Sequence, residues 1–310
     1  LESGNQPASS ELAQPLASSP AKSAKLVFHV PPDAGPNETL ALLNTLAQHP
    51  SQHFTSFKQL SALAAETYGA GKHANDAHLL AQMSGLLLPP HGSQPITLTP
   101  LGQQVVAARE ERQVELIHYL LYVGWDEMQP ERNGPLWTYR TVCNLLWAEE
   151  RGAISSSRLI GGLALRAEAD FANSPAYQQT RLSVSSKTVS GVTRWLAALQ
   201  PPAVQAGLFS RRPVCSRALL LLAIAYVYRD ALGQPDQSGR LVSAELLLSR
   251  ERREALCQLC LLEPATLDRL LDSVIGTYPA YLSQGTRAGT LGRFLRLLRL
   301  PRLTDVGLLL

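Results

Sequence analysis

Leucine, valine and alanine recur three and four residues apart along most of this chain, and Pro, Gly and Asn cut the runs into short segments. That period gathers apolar side chains on one face of a helix, so it restricts the chain to helices packed through those faces. The spacing predicts helices over 103–123, 137–150, 159–171, 188–199, 217–232, 243–247, 250–262, 266–275 and 290–300. No fixed-length repeat runs through them, which argues against a solenoid. Gln200-Pro201-Pro202 is the natural boundary between a helical domain over 109–200 and another over 201–310.

With 45% hydrophobic and 17% charged residues, most of the 310-residue chain has enough apolar surface to fold. The exception is 1–24, rich in Ser, Ala, Pro and Gln, which reads as a flexible tail. The longest apolar run, Ala218 to Tyr228, is eleven residues. Crossing a bilayer takes about 20, so no membrane partner is expected. No secretory signal is visible, and Cys143, Cys215, Cys257 and Cys260 are too few and irregular for a disulfide framework, so a cytoplasmic location is expected. The formal charge of +3 permits nucleic-acid contact without requiring it.

The N-terminal part is more specific. Asn37 is placed to cap a helix carrying Leu40, Leu43 and Leu46, and Thr55 or Ser56 to cap a second with Phe57, Leu60 and Leu63. A third starts near His73, followed by Leu86-Leu87-Leu88, a polar tip, and Ile96-Thr-Leu-Thr-Pro-Leu-Gly102. Thr99 is the expected N-cap of a fourth helix, with Pro100 at its first position. This order resembles the winged helix-turn-helix family, whose closing phrase is Gly-Leu-Leu, wing, Leu-Thr-Pro-Leu-Gly. The resemblance covers the N-terminal region only. The implied fold class is mainly α: a winged helix over 25–108, with three helices and a β-hairpin wing, followed by one or two all-helical domains.

The resemblance makes the third helix a recognition helix exposing Lys72, His73, Asn75, His78 and Gln82. Asn and Gln can pair with adenine edges, and Lys72 can meet a phosphate. The same helix could equally dock a protein. Lys187 and Arg194 lie near one side of a second capped helix, which reads either as a further phosphate contact or as a core helix held by Val189, Val192 and Trp195. Arg211 and Arg212 precede Pro213 and are expected on a loop, within reach of phosphates or simply solvated. Arg293, Arg296 and Arg299, three apart, are expected to spread over a broad face of a basic helix.

No GxxxxGK loop, HExxH or GxSxG is present, and Cys257-Gln-Leu-Cys260 lacks the second pair that structural zinc usually needs. No enzyme activity, metal or cofactor is therefore expected. The reading is a non-catalytic protein that binds double-stranded DNA and belongs to a prokaryotic DNA-associated complex. The alternative is a scaffold subunit of a genome-defence or mobile-element assembly, whose partners would be other protein subunits.

Overall fold

A computed structural model describes residues 28–69, 76–92, 94–125, 133–174, 177, 182–232, 245–286 and 293–301. The chain is mainly helical, as its apolar period dictates, with 58% of the described residues in helix. The N-terminal unit consists of α1 (Pro36–Gln48), α2 (Phe57–Tyr68), α3 (Ala77–Met83), a hairpin of β1 (Leu87–Leu88) and β2 (Thr97–Leu98), and α4 (Pro100–Ala107). The strands pair antiparallel, Leu87 with Leu98 and Leu88 with Thr97. Ser56 caps α2, and Gly69 ends it in the left-handed region. The start of α1 differs from expectation: Gly35 is its N-cap and Pro36 its first residue, so Asn37 lies inside the first turn.

The remaining helices are α5 (Glu110–Val123), α6 (Gly134–Ala148), α7 (Ser156–Asp170), α8 (Ser186–Ala197), α9 (Arg217–Val227), α10 (Arg250–Cys260) and α11 (Leu267–Thr277). The predicted helix over 103–123 is two helices, because Ala108 and Arg109 are extended and the chain turns between α4 and α5. In α9 every residue from Ala218 to Ile224 is buried, since α5, α10 and α11 all pack around it. Each of its four leucines thereby contributes about 1.5–3 kcal/mol of apolar transfer.

Two three-stranded antiparallel sheets correct the expectation that everything beyond the N-terminal unit is helical. One joins β3 (Arg151–Ala153), β5 (Leu208–Ser210) and β4 (Val204–Gln205). The other places β8 (Arg293–Leu297) between β6 (Glu245–Leu247) and β7 (Leu282–Thr286). The segments 243–247 and 290–300 were expected as helices, but Glu245–Leu247 and Arg293–Leu297 within them are strands. Leu246, Leu282, Leu295 and Leu297 are buried together, a burial that only partners distant in sequence can provide.

The segment leading into α1 is sewn into the helical body. Phe28 meets Trp137, Phe171 and Tyr177 edge-on at 5.2–6.2 Å, and the Phe28 carbonyl accepts from Thr138. The Trp195 indole donates to the Ala34 carbonyl at 2.8 Å. Gly191 is where α8 passes this segment, and a Cβ there would lie 2.6 Å from the Val30 carbonyl oxygen.

Candidate functional site

The exposed face of α3 is set by how the helix is held. Ala77, Leu80 and Ala81 are buried, leaving Leu79 exposed and Gln82 half-buried. His78 does not project freely: its ring stacks on Phe57 with centroids 3.9 Å apart, which ties α3 to α2. Lys72, His73 and Asn75 lie outside the described residues. The hairpin junction is tightly built. The Thr99 hydroxyl accepts from the Gly102 N–H and donates to the Gly85 carbonyl, so the cap predicted from sequence also ties α4 to the turn after α3.

The arginines proposed from sequence have largely internal partners. Arg212 is the clearest correction, because its side chain is completely buried and ion-paired with buried Glu115. Its guanidinium also donates to the carbonyls of Gln200, Pro201 and Cys260. A chain passing beneath α10 cannot leave such a charge unmatched, so Arg212 reaches carbonyls and a carboxylate rather than an external phosphate. Arg211 lies over Trp147, 4.0 Å from the ring centroid, and donates from Nε to the Trp147 carbonyl. Neither arginine stands on an open loop.

Arg194 Nη2 donates to both carboxylate oxygens of Glu38, at 2.8 and 3.0 Å, and Nη1 donates to the Pro32 carbonyl. It therefore clamps α1 to α8. Lys187 is exposed in the first turn of α8, whose capping box joins Ser185 and Thr188. The C-terminal arginines occupy a strand and its extension, not a helix. Arg293 pairs with Asp268 and Asp272, and Arg296 with Glu245. Arg299 lies 5.8 Å from the Tyr281 ring centroid. In place of the basic face expected there, Arg293 is ion-paired to α11 and Arg296 to the neighbouring strand β6.

Two buried groups had no signal in the sequence. His118 is fully enclosed, and burial pushes its pKa down from 6.5 to about 4. A carbonyl can only accept, so Nε2 carries the proton to Leu259 O (2.9 Å) and Nδ1 accepts from the Tyr139 hydroxyl (2.8 Å). Glu115 is the other. Both come from α5, where helical period alone does not distinguish a buried polar residue from a solvated one. All four cysteines are buried free thiols, and burial pushes that of Cys257 up to about 12. Among the described residues no group of three or more His, Cys, Asp and Glu is placed to hold a metal ion. No helix there is long and apolar enough to cross a membrane.

No family model matches this chain, and no curated protein does either. Its fold is similar to that of a solved structure described as the SspB crystal structure, with a TM-score of 0.54 and 11% identity over 93% of this chain and 88% of that one.

Proposed function

We propose that the chain is a non-catalytic DNA-binding protein whose N-terminal unit acts as a winged helix offering α3 to duplex DNA. The observation that carries this reading is the order α1, α2, α3, hairpin, α4, with the hairpin and α4 locked together at Thr99 and Gly102. In this reading Lys72, Asn75 and Gln82 supply groove and phosphate contacts, while His78, engaged with Phe57, positions the helix. Lys187 is exposed and adds a phosphate contact. Arg194 and Arg212 act structurally.

A specific observation favours a second reading, a scaffold subunit that docks proteins. Leu79 on α3 and Leu88 on β1 are exposed, at 43% and 55%, where a nucleic-acid surface would be polar. Fluorescence anisotropy with labelled duplex and single-stranded DNA over a salt series separates the two. The first reading expects duplex affinity that falls with salt, and a loss of roughly tenfold or more in the combined Lys72→Ala, Asn75→Ala, Gln82→Ala variant. Absence of duplex binding at low salt would sink it and leave the scaffold.

A further inference from the structure

A cavity of about 280 Å³ lies where the first turn of α5 and the start of α9 come together beside α11. Arg112 lines it from α5, Ser216 and Arg217 from the start of α9, and Ser273 from α11, while Val214 and Leu270 contribute apolar wall. No carboxylate is part of this lining. The volume is at the lower end for a small-molecule site, about 300–1,000 Å³, and suits a single small ion.

Each polar side chain in the lining has a donor to spare. Arg217 Nε donates to Ser273 Oγ at 2.7 Å, which braces the guanidinium against α11 and leaves its two Nη groups and the Ser273 hydroxyl proton to donate. Ser216 Oγ accepts from the Leu219 N–H as the cap of α9, so its own proton is also left to donate. Arg112 Nη1 is buried with no acceptor, a desolvated cationic donor without compensation. Among the described residues neither arginine has a carboxylate partner. The acidic groups on the same elements are engaged elsewhere or lie outside the cavity. Glu115 accepts from Arg212 and from the Ser216 N–H, and Asp268 and Asp272 pair with Arg253 and Arg293. Glu110 and Glu111 are exposed at the start of α5 and do not line the cavity. Tyr278, which ends α11, adds a second buried hydroxyl without a partner. Burial raises its pKa from 10.0, and the nearby charges of Arg112 and Arg217 oppose that rise.

We infer that the cavity among α5, α9 and α11 binds a tetrahedral oxyanion, either free phosphate or the terminal phosphoryl group of a small molecule. Arg112 and Arg217 carry the charge, and the Ser216 and Ser273 hydroxyls orient the ion. Two guanidiniums at one cavity with no carboxylate between them repel each other, and an anion seated there removes that cost. Each guanidinium fork can meet two oxygens, and donors converging from three helices match a tetrahedral ion better than a planar carboxylate. The start of α9 adds the positive end of its dipole. The site is separate from α3 and does not rest on the DNA-binding reading.

The test is isothermal titration calorimetry of the full chain with inorganic phosphate, glycerol phosphate and acetate, in chloride at matched ionic strength. Saturable binding of phosphate or glycerol phosphate at one site is expected, with acetate at least tenfold weaker. Arg112→Gln and Arg217→Gln should each weaken the phosphate compounds by about tenfold or more. Arg158→Gln, which removes an exposed arginine on α7, should leave binding unchanged. Thermal unfolding in chloride supplies a second readout: Arg112→Gln removes an uncompensated cation and should not lower Tm. Should that variant fail to fold, Arg217→Gln at its exposed position carries the test. Tighter binding of glycerol phosphate than of phosphate identifies the phosphoryl group of a small molecule as the occupant, and the reverse identifies the free ion. No saturable binding of either phosphate compound, acetate binding as tightly as phosphate, or the same loss in Arg158→Gln as in Arg217→Gln would overturn the inference.

Discussion

His118 shows how a single buried group makes stability depend on pH. Folded, it stays neutral down to about pH 4, whereas an unfolded imidazole takes a proton near 6.5. Between these values the unfolded state binds more protons, so stability falls as pH drops from 6.5 towards 4, by roughly 3 kcal/mol in total. Urea unfolding at pH 7.5 and 4.5 should show this loss, and His118→Gln, which keeps a donor and an acceptor but does not titrate, should lose less. An equal loss in the two proteins would show that other groups carry the acid sensitivity. Residue type was legible in the sequence at this scale, but environment was not. Arg211 and Arg212 beside Pro213 look alike on paper, yet one lies over Trp147 and the other is enclosed with Glu115. What separates them is Glu115, 97 positions away from Arg212, and no local pattern contains that information.

Among elements, the most legible were those whose ends carry their own chemistry. Thr99-Pro100 at the start of α4 and Ser56 at the start of α2 fall where capping places them. The least legible was β8. Arginine at 293, 296 and 299 with apolar residues between them fits a helical period, and the segment becomes a strand because β6 and β7 pair with it on either side. A strand made by distant partners overrides local propensity. The hairpin junction yields a prediction at this scale. A Cβ on Gly102 would lie 2.0 Å from the Leu86 carbonyl oxygen, which itself accepts from the Thr99 N–H. Gly102→Ala must therefore push α4 away from the hairpin. Its destabilisation in urea unfolding should exceed the cost of about 1 kcal/mol expected for Thr99→Ala, which removes only the cap. Equal costs for the two variants would mean that α4 shifts without strain.

For the whole molecule, the question is whether the N-terminal unit behaves as an independent module, as the resemblance of 25–108 to a winged helix suggests. The segment over 28–35 argues that it is coupled to the helical body. Phe28 fills an aromatic cluster with Trp137 and Phe171, Trp195 holds the Ala34 carbonyl, and Arg194 joins α8 to Glu38 on α1. All four tryptophans belong to residues 125–195, so their fluorescence reports the helical body, whereas far-ultraviolet circular dichroism reports every helix. The two signals should follow one denaturant transition in the intact protein. Phe28→Ala removes a large, fully buried side chain at the joint, and should cost about 3–5 kcal/mol as seen by tryptophan fluorescence. Fluorescence and dichroism transitions that already separate in the unaltered chain, together with a cost below about 1 kcal/mol for Phe28→Ala, would show that the N-terminal unit is stable by itself. The joint would then serve as a tether, leaving α3 free to approach a target while the helical body stays folded around α9.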